Sequence, residues 1–451
     1  MIAANTRLSK QEIFLLFIAT TLVMLSRLPF ISANYGRDPD AFRVIITARL
    51  IAESGDYASS RLPGYPLHEY LLAFTPAKYD PAVSNALTAI FSCFAFIFFA
   101  LILRHFNIQH YLLLALAFAA VPVIYINSVT TMDYMFALAC MLASLYFTLV
   151  SRPLLAGLML GLAIGFRITS GALLLPLAYW LVSGSGIKRA LKPLLTLSIS
   201  AGIVSVLCYL PVLSKYGLNF FTFYDYKTYP SLIELASLAI TKVWGTLGIL
   251  GVAAAITAAL LKMRKENSFR DQAERMRIAV LCVLGIVIFL AAFLRLPLEA
   301  AYLIPIVPFV LLLIGLILPQ RLTAALSGIL LIAPFVAINT SGISLNGPIL
   351  YDHTVRSAEV ELVDRVLDMV HTLPEGSVIV AGTLLPEIEV REYGNRDDAH
   401  ELLYLVNSVE AYQKYTDAGR QVYYIPGMES FNRRIYGLDL AALGAQSLPL
   451  D

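Results

Sequence analysis

Apolar runs of membrane length recur along the first three quarters of the chain. No feature constrains its fold more. A helix needs ~20 residues to cross ~30 Å of hydrocarbon. Within lipid, every backbone polar group must be satisfied internally, which leaves helices or closed barrels. Eleven runs approach the helical length, at residues 12–31, 83–103, 110–127, 130–149, 153–167, 169–183, 191–213, 235–261, 277–295, 299–318 and 321–339. They predict an α-helical polytopic membrane protein of about 11 transmembrane helices over residues 1–340. A small extracytoplasmic α/β domain is expected over 341–451.

Composition agrees. Hydrophobic residues make up 58% and charged residues 14%, against ~45–50% and ~25% in soluble domains. The net charge of +2 hides an asymmetry. From Asp352 onward 17 acidic residues face 8 basic ones, a balance of −9, which leaves +11 on the rest. That excess sits in short loops between apolar runs, at Arg104, Arg152, Lys188, Arg189, Lys192, six cations between Lys262 and Arg277, and Arg321. Basic short loops mark the cytoplasmic side. The expected protein is therefore a multi-pass plasma (inner) membrane protein with a cytoplasmic N-terminus and an extracytoplasmic C-terminal domain. Nucleic acid is not needed to explain the charge. Cys93, Cys140, Cys208 and Cys282 lie inside apolar runs without metal-ligand spacing, so they read as small buried hydrophobes.

The first outer loop, residues 32–82, carries more than a connection. Asp38-Pro39 reads as a helix cap followed by proline at the first helical position. Phe42, Ile45, Ile46, Arg49 and Leu50 form one helical face, and Gly55 is the stop. At roughly 15 residues this helix is too short to span and is expected in the interface plane. In the tail, 358–373 and 401–418 read as helices, and 377–381 and 421–425 as buried strands. A small parallel or mixed sheet follows from that order. The aromatics between Tyr216 and Tyr229 read as an interfacial belt or, alternatively, as a platform for a sugar or lipid carrier.

Charges at bilayer depth are expensive, so their placement is informative. Here they gather at the expected outer span ends: Asp38, Asp40, Arg43, Arg61, His68, Glu69, Asp133, Arg167, Arg295 and Glu299. This pattern favours a site at the outer surface over an ion path through the middle. Seven of them also have a plainer reading. Asp38 and Asp40 cap a helix, Asp133 caps another, Arg295 snorkels, His68 and Glu69 form a surface pair, and Glu299 clamps Arg295.

Four segments resemble the GT-C superfamily of membrane glycosyltransferases, especially its protein-mannosyltransferase and aminoarabinose-transferase branch. They are Asp40-Ala-Phe-Arg through Leu50-Ile-Ala-Glu-Ser-Gly-Asp-Tyr57, Leu62-Pro-Gly-Tyr-Pro-Leu67, Gly157-Leu-Met-Leu-Gly-Leu-Ala-Ile-Gly-Phe-Arg167, and Tyr302-Leu-Ile-Pro-Ile-Val-Pro308. Three positions depart from the family pattern. Ala41 follows Asp40 where a second acid is common, Gly64 and Tyr65 replace a Glu-Lys pair, and Ala301 replaces an arginine. The resemblance implies inverting transfer of a sugar from a polyprenyl-phosphate carrier to a hydroxyl acceptor (lipid, glycan or protein) on the outer membrane face. It makes Asp40 the general base and Asp133 a second acid. Arg61, Tyr65, His68, Glu69, Arg167, Arg295, Glu299 and Tyr302 become substrate or phosphate contacts. Transfer from a lipid-phosphate sugar needs no nucleotide. A divalent metal shared by Asp40 and Asp133 stays open, since some superfamily members use one. The rival readings are a lipid-linked-sugar flippase and a non-catalytic member.

Overall fold

The structure is a computed structural model that describes residues 8–221, 229–265, 272–340, 342–393 and 400–450. Six of its helices are long and apolar enough to cross a bilayer, and five shorter apolar helices accompany them. Each of the eleven apolar runs is largely helical.

Helix α1 (Lys10–Arg27) starts with a Ser9–Glu12 capping box. Its Glu12 pairs with Arg104 at 2.7 Å. That contact sets α1 antiparallel to α4 (Pro81–His105). Between them lie two non-spanning helices, α2 (Pro39–Ser54) and α3 (Pro66–Ala73). Asp38 caps α2 by accepting from the Asp40 amide, and Gly55 ends it in a left-handed conformation at φ 74°. The α2 helix is far more enclosed than an interfacial helix. Ala41, Phe42, Val44, Ile45, Ala48 and Ile51 are buried, and Leu50, expected on the apolar face, is exposed.

The run 110–127 is two helices, α5 (Tyr111–Ala120) and α6 (Pro122–Asn127), divided where Pro122 cannot continue the hydrogen-bond ladder. Then follow α7 (Tyr134–Leu149), α8 (Pro153–Phe166), α9 (Leu174–Ser185) and α10 (Ile187–Tyr216). Helix α8 lies along α10 through three glycines four residues apart. A Cβ on Gly157 would fall 2.4 Å from the Leu197 carbonyl oxygen, one on Gly161 would fall 2.5 Å from Val204 Cβ, and one on Gly165 would fall 2.8 Å from Cys208 Cβ. Small residues allow the close backbone approach by which helices associate in lipid. The successive partners 197, 204 and 208 make the two helices parallel.

The bundle continues through α11 (Leu232–Ala236), α12 (Lys242–Lys265), α13 (Gln272–Arg295), α14 (Ile306–Ile317) and α15 (Gln320–Ile332). Helix α15 stops before 339. Residues 337–339 instead pair as β1 (Ala337–Asn339) with β2 (Gly342–Ser344).

The C-terminal unit has α16 (Pro348–Val370) and a four-stranded parallel sheet. Its strands are β3 (Val378–Val380), β4 (Glu401–Leu403), β5 (Val422–Tyr424) and β6 (Gln446–Ser447), in the order β4-β3-β5-β6. The central β3 is buried on both faces, as parallel strands usually are. Helices α17 (Leu385–Arg391), α18 (Val409–Asp417) and α19 (Met428–Tyr436) complete it. The 401–418 helix is thus shorter than expected. Its first three residues are a strand, and the helix begins only after the Ser408 cap. The unit is docked onto the bundle. Arg49 of α2 donates to the Val390 carbonyl at 2.5 Å and to the Lys78 carbonyl at 2.9 Å, and the Tyr393 hydroxyl donates to Glu53 at 2.8 Å.

Candidate active site

Helix starts and ends bring the charges together. Asp40 lies in the first turn of α2, Asp133 immediately precedes α7, Arg167 follows α8, and Arg295 ends α13. Arg61 comes from the loop between α2 and α3 and joins the two acids. Its Nε lies 3.2 Å from Asp40 Oδ2, and its Nη2 donates to Asp133 Oδ1 at 2.9 Å. Arg167 Nη1 donates to the other Asp133 oxygen at 2.7 Å. Arg43, one turn along α2, holds Asp40 Oδ1 at 3.0 Å. The result is a continuous chain, Arg43–Asp40–Arg61–Asp133–Arg167.

Aromatic rings cover it. The Arg61 guanidinium lies 4.1 Å from the Tyr65 ring centroid. That of Arg167 lies 4.4 Å from Tyr134 and 4.9 Å from Tyr302. Such contacts fix the planar cations in orientation as well as place.

The chain borders a cavity of about 830 Å³. Asp40, Arg43, Arg61, Arg167 and Arg295 make its polar wall. Leu138, Met141, Phe289, Phe293, Leu296 and Ile304 make its apolar one. Tyr65, Tyr134 and Tyr302 line it too, and Tyr404 of the C-terminal unit reaches its wall. Leu138 and Met141 lie further along α7 from Asp133, and Phe293 and Phe289 further along α13 from Arg295. Such a cavity suits a ligand with an anionic head and an apolar tail.

Asp133 is 1% exposed. It makes no side-chain cap to α7, so the cap reading fails. Arg61 and Arg167 compensate its buried charge. Both of its oxygens are engaged by guanidiniums. The residues present do not fit a divalent ion between Asp40 and Asp133, because the Arg61 guanidinium already bridges them. Asp38 is a cap, as its plainer reading had it. Burial, then the neighbouring Asp40, raises its carboxyl.

His68 and Glu69 are not a surface pair. Both are buried and neither lines the cavity. Glu69 accepts from the Tyr57 hydroxyl at 2.5 Å, from the Ser60 amide and hydroxyl at 2.7 and 2.6 Å, and from the Tyr65 amide at 3.2 Å. It therefore shapes the loop that presents Arg61 and Tyr65. His68 lies 5.0 Å from the Phe136 ring, and burial holds its imidazole down to about 4. Arg295 and Glu299 form no ion pair with each other, contrary to the expected clamp. Arg295 is exposed, lines the cavity and pairs with no described carboxylate. In the aromatic loop, 222–228 lie outside the described residues. Tyr229 donates to the Leu294 carbonyl at 2.9 Å.

The sequence reading passed over Arg43 and Tyr134 as contacts, although each is next to an assigned acid along its helix. Tyr404 carried no such signal, because nothing in the tail's pattern points to a cavity whose other lining residues all precede Ile306.

No family model matches the sequence, and no curated protein sequence matches it. Among solved structures, the crystal structure of ArnT from Cupriavidus metallidurans in the apo state is similar. Its TM-score is 0.58 at 15% identity, over 93% of this chain and 90% of that one. ArnT is an aminoarabinose transferase of the GT-C type. The likeness extends through the C-terminal unit as well as the bundle. The chain is accordingly an integral membrane protein with an ArnT-like fold.

Proposed function

We propose that the protein is a membrane glycosyltransferase that moves a sugar from a polyprenyl-phosphate carrier to a hydroxyl acceptor at the outer membrane face. The observation that carries this reading is the mixed cavity, lined by Asp40 and four arginines together with the apolar side chains of α7 and α13. Two carboxylates, Asp40 and Asp133, face four guanidiniums, Arg43, Arg61, Arg167 and Arg295, which leaves two positive charges. A sugar phosphodiester brings one negative charge. Breaking its sugar–oxygen bond releases a phosphomonoester, whose charge approaches two. A site that matches the leaving group better than the donor lowers the barrier rather than only tightening binding.

In this scheme the donor's phosphate meets Arg167 and Arg295, and its tail follows the apolar wall. Asp40 takes the proton of the acceptor hydroxyl, whose oxygen attacks the anomeric carbon opposite the departing phosphate. Arg43 and Arg61 aim the Asp40 carboxylate. Asp133 holds Arg61 and Arg167 in their orientations. The short basic loops support a cytoplasmic N-terminus, and with it a cavity and C-terminal unit on the outer face.

The test is a turnover assay in nanodiscs with a panel of labelled polyprenyl-phosphate sugars and envelope lipid, glycan and protein acceptors. Transfer from at least one donor, with inversion at the anomeric carbon, supports the reading. Movement of labelled lipid between leaflets without transfer overturns it in favour of a flippase.

A further inference from the structure

Asp40 and Asp133 sit at one fixed spacing, yet they arrive on two separate loops. Residues 28–38 lead into α2, and residues 128–132 lead into α7. A third element, more than 200 residues further along, joins them. Arg356 lies in the first half of α16 and is 0% exposed. Its Nε donates to Asn34 Oδ1 at 2.8 Å, and one terminal nitrogen donates to the Asn34 carbonyl. The other donates to the Phe30 carbonyl at 3.3 Å and to the Val129 carbonyl at 3.1 Å. One guanidinium thus grips both loops.

The surroundings reinforce that grip. Phe30 of the first loop, Val129 of the second, Tyr125 of α6 and Ile349 of α16 form a small core of their own. His353, one turn before Arg356, meets the Phe30 ring edge-on at 5.5 Å. The loops also touch directly, the Thr131 amide donating to the Tyr35 carbonyl at 2.7 Å. Asn85 of α4 ties down the first loop through the Ile31 and Asn34 carbonyls, each at 2.8 Å.

Compensation of the Arg356 charge is thin. Its nearest carboxylate, Asp352, stands 3.8 Å away, and that oxygen makes no hydrogen bond. Burying a charge is costly unless it is paired and hydrogen-bonded. Docking alone would be served by apolar contacts. A planar fork with five N–H donors does what those contacts cannot, which is to bond several carbonyls at fixed angles.

We propose that Arg356 is a positioning residue of the transfer site. Through it, the C-terminal unit holds the Asp40 loop and the Asp133 loop at the separation that Arg61 spans. The role rests on the transfer reading above; the pin itself does not.

The experiment compares full-length wild type and Arg356→Lys in nanodiscs, by hydrogen exchange and by turnover. A lysine keeps the charge, but its single nitrogen cannot bond both loops in the same geometry. Exchange is expected to quicken at residues 30–40 and 128–134 while the C-terminal sheet keeps its protection. Turnover at saturating donor and acceptor is expected to fall by about 10²-fold, the scale of a small misplacement of reacting groups. The donor KM is expected to stay close to wild type, a split that general loss of fold would not give. If the lysine variant fails to fold, Asn34→Ala removes one acceptor of the same pin and is scored identically. Unchanged exchange in both loops overturns the pin, whatever the turnover. Faster exchange with unchanged turnover overturns the positioning role. A wild type that turns over no donor overturns the transfer reading and the role with it, and the exchange data then score the pin separately.

Discussion

Asp133 and Asp40 are both acids bonded to Arg61, and their environments separate their tasks. Asp133 is sealed between two guanidiniums, whereas Asp40 keeps a quarter of its side chain open beside the cavity. Removing one partner of a buried ion pair strands the other charge, at a cost of ~3–5 kcal/mol. Asp133→Asn should therefore lower thermal stability by that order, because Arg61 and Arg167 both lose compensation. Asp40→Asn should unfold close to wild type. Equal melting behaviour of the two variants in detergent would contradict this division. Much of the cluster was legible at this scale. Asp40, Arg61, Tyr65, Arg167 and Tyr302 were singled out from the sequence, and they converge. His68 and Glu69 were misjudged because adjacent polar residues in a turn-rich stretch look solvated. Only the folded loop shows four donors turned inward onto one carboxylate. The Arg295–Glu299 clamp was misjudged because a spacing of four implies contact only on a helix. Here the helix ends at Arg295.

At the scale of elements, the α8–α10 contact is the clearest link from sequence to fold. Gly157 meets Leu197 backbone and the Ser200 hydroxyl where any side chain would sit, while Gly202 on the other face of α10 meets nothing within 4 Å. Gly157→Val should destabilise the bundle by ~1–3 kcal/mol, as overpacking does. Gly202→Ala should be neutral or mildly stabilising, since alanine replaces the more flexible residue. A thermal shift of similar size in both would mean that the close approach is not what holds α8 to α10. Hydropathy located all eleven apolar runs. It could not divide 110–127 at Pro122 or end α15 at Ile332, because apolar composition persists where the helix stops. Strand β4 was read as helix for a related reason. Three residues show too little period to separate the two, and the pairing that decides it comes from β3.

At the scale of the whole molecule, the C-terminal unit is fastened to the helix that carries Asp40. Glu387 of α17, close to that seam, has a buried oxygen without a hydrogen-bond partner. Its carboxyl is pushed from 4.5 to about 7 by burial, against the pull of Arg391 and with Glu359 and Asp364 adding to the rise. A carboxyl raised on folding stabilises the folded state most below its unfolded value and loses that contribution as pH climbs to the folded one. The seam should therefore weaken between pH 4.5 and about 7. Glu387→Gln should flatten that dependence, as read by hydrogen exchange of α17 across the range. A slope identical to wild type would remove Glu387 as its source. The acidic tail was visible in the sequence, but its docking was not, because nothing in the patterns around Arg49 and Arg356 marks partners as distant along the chain as Val390 and Asn34.

The account turns on Asp40 as the group that activates the acceptor. The direct measurement is single-turnover transfer in nanodiscs by wild type and Asp40→Asn, at saturating donor and with donor binding checked in both. Loss of a general base predicts a rate lower by ~10²–10⁴-fold in the variant, with donor affinity and stability retained. Transfer at the wild-type rate by Asp40→Asn would contradict the account.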